Sequence, residues 1–336
     1  EESMKKRLAV WVFFFFQLVQ LQAYENLKFN HLSIEDGLSQ NTINGIAQDQ
    51  TGFLWLATQD GLNKYNGTDF VHYKTDSANP NSLNENNINC LWIDKNNIMW
   101  IGTRGRGLNR FDLKTERFSS FLYDPKKTDS ISDNFIFTIF GDKDGSILWI
   151  GTERNGLNKF DVEKNTFSKF VHDEKNPDSI GGNKITAIYR DSSGGLWVGT
   201  GENGLNFFQE NEKKFVHYVH DEKDPSTISD NYVYSILEDS RKNLWVGTKN
   251  GLNLFDREKK TFKAFKNDSQ NPNSLSSDKI TVLFEDRKGR FWVGTEGGLN
   301  LYDREKQVFY SYKENAANKY SLSNNSIQSI FEDDIG

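Results

Sequence analysis

Cysteine occurs once in 336 residues, methionine twice, and proline and histidine five times each. A single thiol, Cys90, excludes an internal disulfide and any Cys-x-x-Cys metal or redox pair. No His-Glu-x-x-His and no Gly-x-Ser-x-Gly elbow occurs, so the common zinc-peptidase and serine-hydrolase signatures are missing. No amphipathic run reaches the ten or more residues a helix wants. The formal charge is −6 with no basic stripe, which argues against nucleic acid as a partner. Long apolar runs are also scarce. The one present, Leu8–Val19, falls short of the roughly 20 residues that span a bilayer.

What the chain has instead is a repeat. Trp, an aliphatic, Gly or Ala, Thr, a short turn and Gly-Leu-Asn return six times, anchored on Trp55, Trp100, Trp149, Trp197, Trp245 and Trp292. The steps of 45, 49, 48, 48 and 47 residues mark a repeat architecture, and a propeller in particular. Within one period, Lys184–Asp191, Gly195–Thr200, Gly204–Gln209 and Lys214–Val219 alternate apolar and polar residues as half-buried strands do. The expectation is an all-β propeller of four-stranded antiparallel blades, near 41–74, 87–122, 134–171, 184–219, 232–266 and 279–313.

Turn chemistry agrees. Asp-x-x-Gly recurs between first and second strands, at Asp49–Gly52, Asp142–Gly145, Asp191–Gly194 and Asp286–Gly289. Asp can bond the backbone two residues on, and Gly takes the left-handed conformation. Gly61, Gly107, Gly156, Gly204, Gly251 and Gly298 precede Leu-Asn as hairpin glycines, so Gly102–Gly107 reads as a hairpin and not a phosphate loop. All five prolines, from Pro80 to Pro272, share one position between blades, where a missing N–H costs no ladder bond. The sixth copy of that loop carries Lys319 instead.

Ser326–Asp333 repeats the first-strand pattern, so residues 326–336 begin a seventh blade, and residues 28–33 resemble a fourth strand without a blade of its own. The count favours a truncated seven-bladed ring over residues 24–336, closed by the N-terminal strand. Met4 reads as the initiator, with Glu1–Ser3 upstream of it. Residues 4–23 read as a signal peptide: Lys5, Lys6 and Arg7, an apolar core, then Leu21-Gln22-Ala23. Secretion across the inner membrane to the periplasm follows.

Chemistry is thin. His72, His172 and His217 read as sharing one place in the fourth strand, and His217 and His220 as pointing to opposite faces, so no metal site is expected. Cys90 reads as a small buried hydrophobe. Acidic residues of the inter-blade loops, such as Asp129, Asp133, Asp221 and Glu222, recur as turn formers, not as a catalytic pair. The repeated tryptophans read as inter-blade core. Neither a catalytic residue nor a cofactor is expected. Candidate ligand contacts are the variable hairpin tips on one face: Arg104, Arg106, Glu153, Arg154, Glu202, Asn203, Lys249 and Glu296. Three arginines from adjacent blades suit carboxylates or sulfates.

Leu244–Asp256, LWVGTKNGLNLFD, and its siblings resemble the two-component regulator propeller repeat over residues 28–336. Departures are Ala57 for Gly, and Asn66 and Gln209 for the closing Asp. The opening is similar to the periplasmic sensor region of Bacteroidetes hybrid two-component histidine kinases. That resemblance implies an oligosaccharide ligand, a homodimeric parent sensor, and membrane attachment through C-terminal parts. A downstream kinase would regulate transcription, and the propeller itself would be no enzyme. A stand-alone secreted glycan- or protein-binding propeller is the alternative, and a lyase or glycosidase a third.

Overall fold

The computed structural model describes residues 27–336 with the exception of Lys143; the expected signal peptide lies outside the described residues. Six antiparallel sheets of four strands each follow one another, with every sheet ordered as its strands occur in sequence. Blade four is representative: Ile185–Arg190, Leu196–Thr200, Leu205–Gln209 and Lys214–Tyr218. The only helical element among the described residues is a single 3-10 turn, Ile34–Asp36. First strands of successive blades touch around the axis, and the second strands of blades two, four, five and six are buried throughout, as in Leu196–Thr200.

The repeated phrase is a set of hydrogen bonds. In five of the six blades the Asp before the turn accepts backbone N–H groups on one carboxylate oxygen and a tryptophan indole on the other. Asp49 takes Thr51 and Phe53 on Oδ1 and Trp55 on Oδ2 at 2.8 Å. Asp94–Trp100, Asp191–Trp197, Asp239–Trp245 and Asp286–Trp292 repeat it at 3.2, 2.8, 2.9 and 2.9 Å. The Thr of each phrase donates across the hairpin to the glycine carbonyl, Thr200 to Gly204 at 3.0 Å, for instance. In five blades the buried Asn of Gly-Leu-Asn accepts an N–H from the inter-blade loop, as Asn253 does from Ser229 at 2.9 Å. Gly204 stands at φ +72°, and a Cβ there would lie 2.2 Å from the Tyr218 carbonyl oxygen.

Between blades, each of the first five anchoring tryptophans meets an aromatic from the third strand of the next blade. Trp55–Phe111, Trp100–Phe160, Trp149–Phe208, Trp197–Phe255 and Trp245–Tyr302 lie with centroids 5.6, 5.6, 5.9, 5.3 and 5.5 Å apart. Near-perpendicular pairs of this kind suit the ring quadrupole and bury large area.

Both partial elements expected from the sequence take up blade positions without forming ladders. Thr281 Oγ1 donates to the Ile327 carbonyl as Thr186 does to that of Val233. Ser329 Oγ reaches the Ile43 carbonyl of blade one at 3.3 Å. Phe29 N–H bonds the Tyr320 carbonyl at 3.0 Å, as Phe215 N–H bonds that of Asp178. Neither segment pairs as a strand, since no described strand lies between them. One reading needs correction. His172 does not match His72 and His217 but His220: His172 Nδ1 and His220 Nδ1 bond Ile180 and Ile228 carbonyls at 2.8 and 2.7 Å.

Candidate functional site

The second-to-third-strand hairpins and the entries to the first strands share one face. The backbone fixes this: the N–H groups of Arg104, Glu153, Gly201, Lys249 and Glu296 bond the carbonyls of Asn87, Phe135, Lys184, Tyr232 and Lys279. The carbonyl acceptors of that set sit at one repeat position, just before the Ile or Val that opens the first strand. Two residues further on, side chains face the axis; Asn44 and Asn89 bond the next blade's Ile88 and Ile136 carbonyls at 2.7 and 2.8 Å.

Blades three and five carry aromatics at both positions, Phe135 with Phe137 and Tyr232 with Tyr234. Blades four and six carry Lys184 and Lys279. The result is an alternation of cations and rings around the mouth. Arg104 lies 5.9 Å from the Phe135 ring and bonds Asn89 through Nε at 2.6 Å. Lys184 Nζ sits between Phe137 and Tyr232, at 5.6 and 5.5 Å. Tyr232 stacks on Tyr234 at 4.3 Å, and Lys279 Nζ lies 5.2 Å above Tyr234. Each lysine also pairs with a hairpin-tip carboxylate, Lys184 with Glu153 at 2.9 Å and Lys279 with Glu296.

Electrostatics keep this rim ionised. Burial works against the Lys184 ammonium, but the Glu153 carboxylate and Tyr232 hold its pKa above the usual lysine value. Lys279 is raised by its bond to Glu296, against the opposing effect of burial. Burial pushes the Tyr234 phenol up, so it stays a neutral donor. Such a surface offers ring faces, fixed donors and fixed acceptors together.

Of the hairpin-tip candidates, the structure brings Arg104, Glu153 and Glu296 into this array. Arg106, Arg154, Glu202 and Lys249 project as exposed tips. The Asn203 side chain instead covers Gly182, where a Cβ would meet its Oδ1 at 2.6 Å. Phe135, Phe137, Lys184, Tyr232, Tyr234 and Lys279 escaped the sequence reading. Their signal was a column that changes between aromatic and lysine while the flanking Asn or Asp and Ile or Val stay fixed. Among the described residues no cluster of His, Cys, Asp or Glu could hold a metal ion. Cys90 packs beneath Gly102, and burial pushes its thiol up to about 12.

Comparison with known proteins fits this architecture. Residues 37–60, 130–154, 179–202, 227–250 and 274–297 match the family described as two component regulator propeller. The extracellular domain of a hybrid two component system of B. thetaiotaomicron is 30% identical, with a TM-score of 0.79 over 91% of this chain and 39% of that one. Histidine kinase P4 of Formosa agariphila is 37% identical over 73 residues, which are 21% of this chain and 5% of the kinase. Virginiamycin B lyase of Staphylococcus aureus shares the fold alone, at 14% identity and a TM-score of 0.60. The chain thus spans well under half the length of its two-component relatives. No described helix is long and apolar enough to cross a membrane. The chain thus carries five two component regulator propeller repeats on six four-stranded blades, and is similar over most of its length to the extracellular domain of a hybrid two-component system.

Proposed function

We propose that this propeller is the periplasmic ligand-sensing part of a two-component sensor kinase, and that it reads an oligosaccharide at the mouth of blades two to six. The observation that carries this is the Tyr232–Tyr234 stack, 4.3 Å between centroids, flanked by the Lys184–Glu153 and Lys279–Glu296 pairs. Sugar rings pack their C–H faces on aromatic side chains, and their hydroxyls bond paired charges that stay fixed. Arg104, Arg106 and Arg154 add forks for a carboxylate or sulfate substituent. Glu153 and Glu296 are each tied to a lysine, so neither stands ready as a general acid, and the propeller performs no turnover. Binding would shift the balance between two arrangements of a dimeric parent sensor, with transcription as the output.

The test is titration calorimetry of the protein with oligogalacturonates and with uncharged cello-oligosaccharides of equal length. Binding by either series, lost at least tenfold in Tyr234→Ala and in Lys184→Ala at unchanged melting temperature, supports the reading. Binding that neither substitution alters moves the ligand elsewhere. Hydrolysis or elimination of either sugar would replace the sensor reading with an enzymatic one.

A further inference from the structure

On the face remote from the mouth, blade five carries a recess of about 550 Å³. It lies between the turn that joins the blade's first two strands and the turn that joins its last two. Three exposed lysines line it, Lys242, Lys259 and Lys263, together with the buried Phe255 and Phe262.

Little neutralises these cations, although the chain as a whole has a net charge of −6. Among the described residues no carboxylate pairs with Lys242 or Lys263, and Lys263 Nζ bonds the neutral Gln307 amide at 3.1 Å. The carboxylate in the lining, Asp256, stands 3.7 Å from Lys259 Nζ, and its Oδ1 already accepts the Glu258 and Lys259 N–H groups. The guanidinium in the lining, Arg257, is engaged on both outer nitrogens, by Asp191 at 2.9 Å and Glu238 at 2.8 Å.

Both unpaired lysines break the repeat. Where blade five has Lys242, three residues after the turn aspartate, the other blades have Gly52, Asn97, Gly145, Gly194 and Gly289. Lys242 holds φ +68°, a left-handed conformation that glycine and asparagine take more readily than lysine. At the place of Lys263 stand Val71, Ser119, Ser168, Val216 and Tyr310. Turn formers recur from blade to blade. Two lysines that no other blade has, on different elements and meeting at one recess, point to a ligand instead.

We infer that this recess binds a tetrahedral oxyanion, the phosphate or sulfate ester of a small molecule, at a site separate from the mouth. Ammonium groups are compact point charges that can approach such a group from several sides, whereas a planar carboxylate is matched by a guanidinium fork. Arg257 has no free fork to offer, so the lining selects the ester over the carboxylate. The recess exceeds the size of one oxyanion, which leaves room for the ester's carbon part beside the phenylalanines.

The test is titration calorimetry of this chain, at fixed ionic strength, with glucose 6-phosphate, glucose 6-sulfate and glucuronate. At least one ester should bind tenfold or more tighter than glucuronate, and the tighter of the two identifies which oxyanion the site takes. Lys242→Gly introduces the residue of four other blades, and Lys263→Ser that of blades two and three. Each should weaken ester binding at least fivefold without lowering the melting temperature. Tyr234→Ala at the mouth and Lys114→Ser on the same face of blade two should both leave it unchanged. Absence of ester binding, or glucuronate binding as tight as either ester, overturns the inference. A loss in Lys114→Ser as large as in Lys242→Gly also overturns it, since diffuse charge would then be the cause. A loss in Tyr234→Ala does the same by returning the ester to the mouth.

Discussion

The indole N–H of Trp149 finds no acceptor among the described residues, although Asp142 precedes it in the same turn that serves the other five tryptophans. The reason is one residue. Asp142 lies seven positions before Trp149, and its N–H bonds the Ile147 carbonyl, five residues on. In blade four Asp191 lies six before Trp197, its N–H bonds the Gly195 carbonyl, and its carboxylate reaches the indole at 2.8 Å. Asp142 is instead held by Arg190 of blade four at 2.9 Å. Asp191→Asn should therefore cost about 2 kcal/mol, through a charged acceptor shared by Trp197 and Arg257. Asp142→Asn should stay within about 0.5 kcal/mol, because it removes a poorly compensated charge and leaves Arg190 an acceptor. Urea unfolding of both variants checks the contrast.

The same aspartates set the acid limit. Burial works to raise Asp191, but Ser193, Trp197 and Arg257 overcome it and hold its pKa at about 2. Asp49, Asp239 and Asp286 are lowered in the same way. A carboxylate lowered by folding contributes stability above its unfolded pKa, and that contribution is lost as pH falls through the folded one. Stability should thus decline from about pH 4 downward, toward about 2 for Asp191. Asp142 runs the other way. Burial raises it beyond what Arg190 offsets, so protonation favours its folded form and its contribution weakens with rising pH. Unfolding midpoints at a series of pH values should show Asp191→Asn with a shallower acid decline, Asp49, Asp239 and Asp286 supplying the rest, and Asp142→Asn with the decline undiminished.

How much of this the sequence disclosed follows from the kind of regularity each feature has. Strands, hairpin glycines and inter-blade prolines repeat, so their period and turn chemistry were readable. The Asp-to-Trp bond repeats too, yet reading Asp only as a turn former hid it. The mouth residues are hidden for the opposite reason. Phe135, Tyr232 and Tyr234 break the repeat while keeping apolar alternation, and alternation alone cannot separate a ring facing the axis from one facing a neighbouring blade. The misaligned His172 came from comparing short strands without their loops. Only the shared bond to the Ile180 and Ile228 carbonyls fixes its register.

The small residue just before the end of each second strand has a cross-strand counterpart. Gly102 opposes Cys90, and a Cβ on it would lie 2.5 Å from the Cys90 sulfur and 2.7 Å from Ile136 Cγ2. In blade one the sizes are exchanged: Ala57 opposes Gly45. Gly102→Ala should cost about 1–3 kcal/mol by overpacking. Adding Cys90→Gly should recover part of that loss, since it recreates the blade-one pair and leaves only the Ile136 contact to relax. A double-mutant cycle in urea with no coupling between the two substitutions would show that the strands do not share this space.

The last prediction concerns a position that is charged in some blades and aliphatic in others. Arg304 follows the third strand of blade six and is nearly buried, bonding Glu285 at 2.7 Å and Asp239 of blade five at 3.2 Å. Arg257 repeats this with Glu238 and Asp191 at 2.8 and 2.9 Å. In blades two and three the same place holds Leu113 and Val162, packed on the core, and the first strand ends in Ile93 or Gly141 instead of Glu. Cation and carboxylate thus come and go together. Arg304→Leu alone leaves Glu285 and Asp239 without their cation and should cost about 3–5 kcal/mol. With Glu285→Ile added, the pair becomes that of blade two, and more than half of the loss should return. Asp239 keeps Trp245 and Asn243 at 2.9 and 3.0 Å, so the one remaining carboxylate is still hydrogen-bonded. Equal unfolding midpoints for the single and double variants would mean that Asp239, not Glu285, is what Arg304 chiefly neutralises.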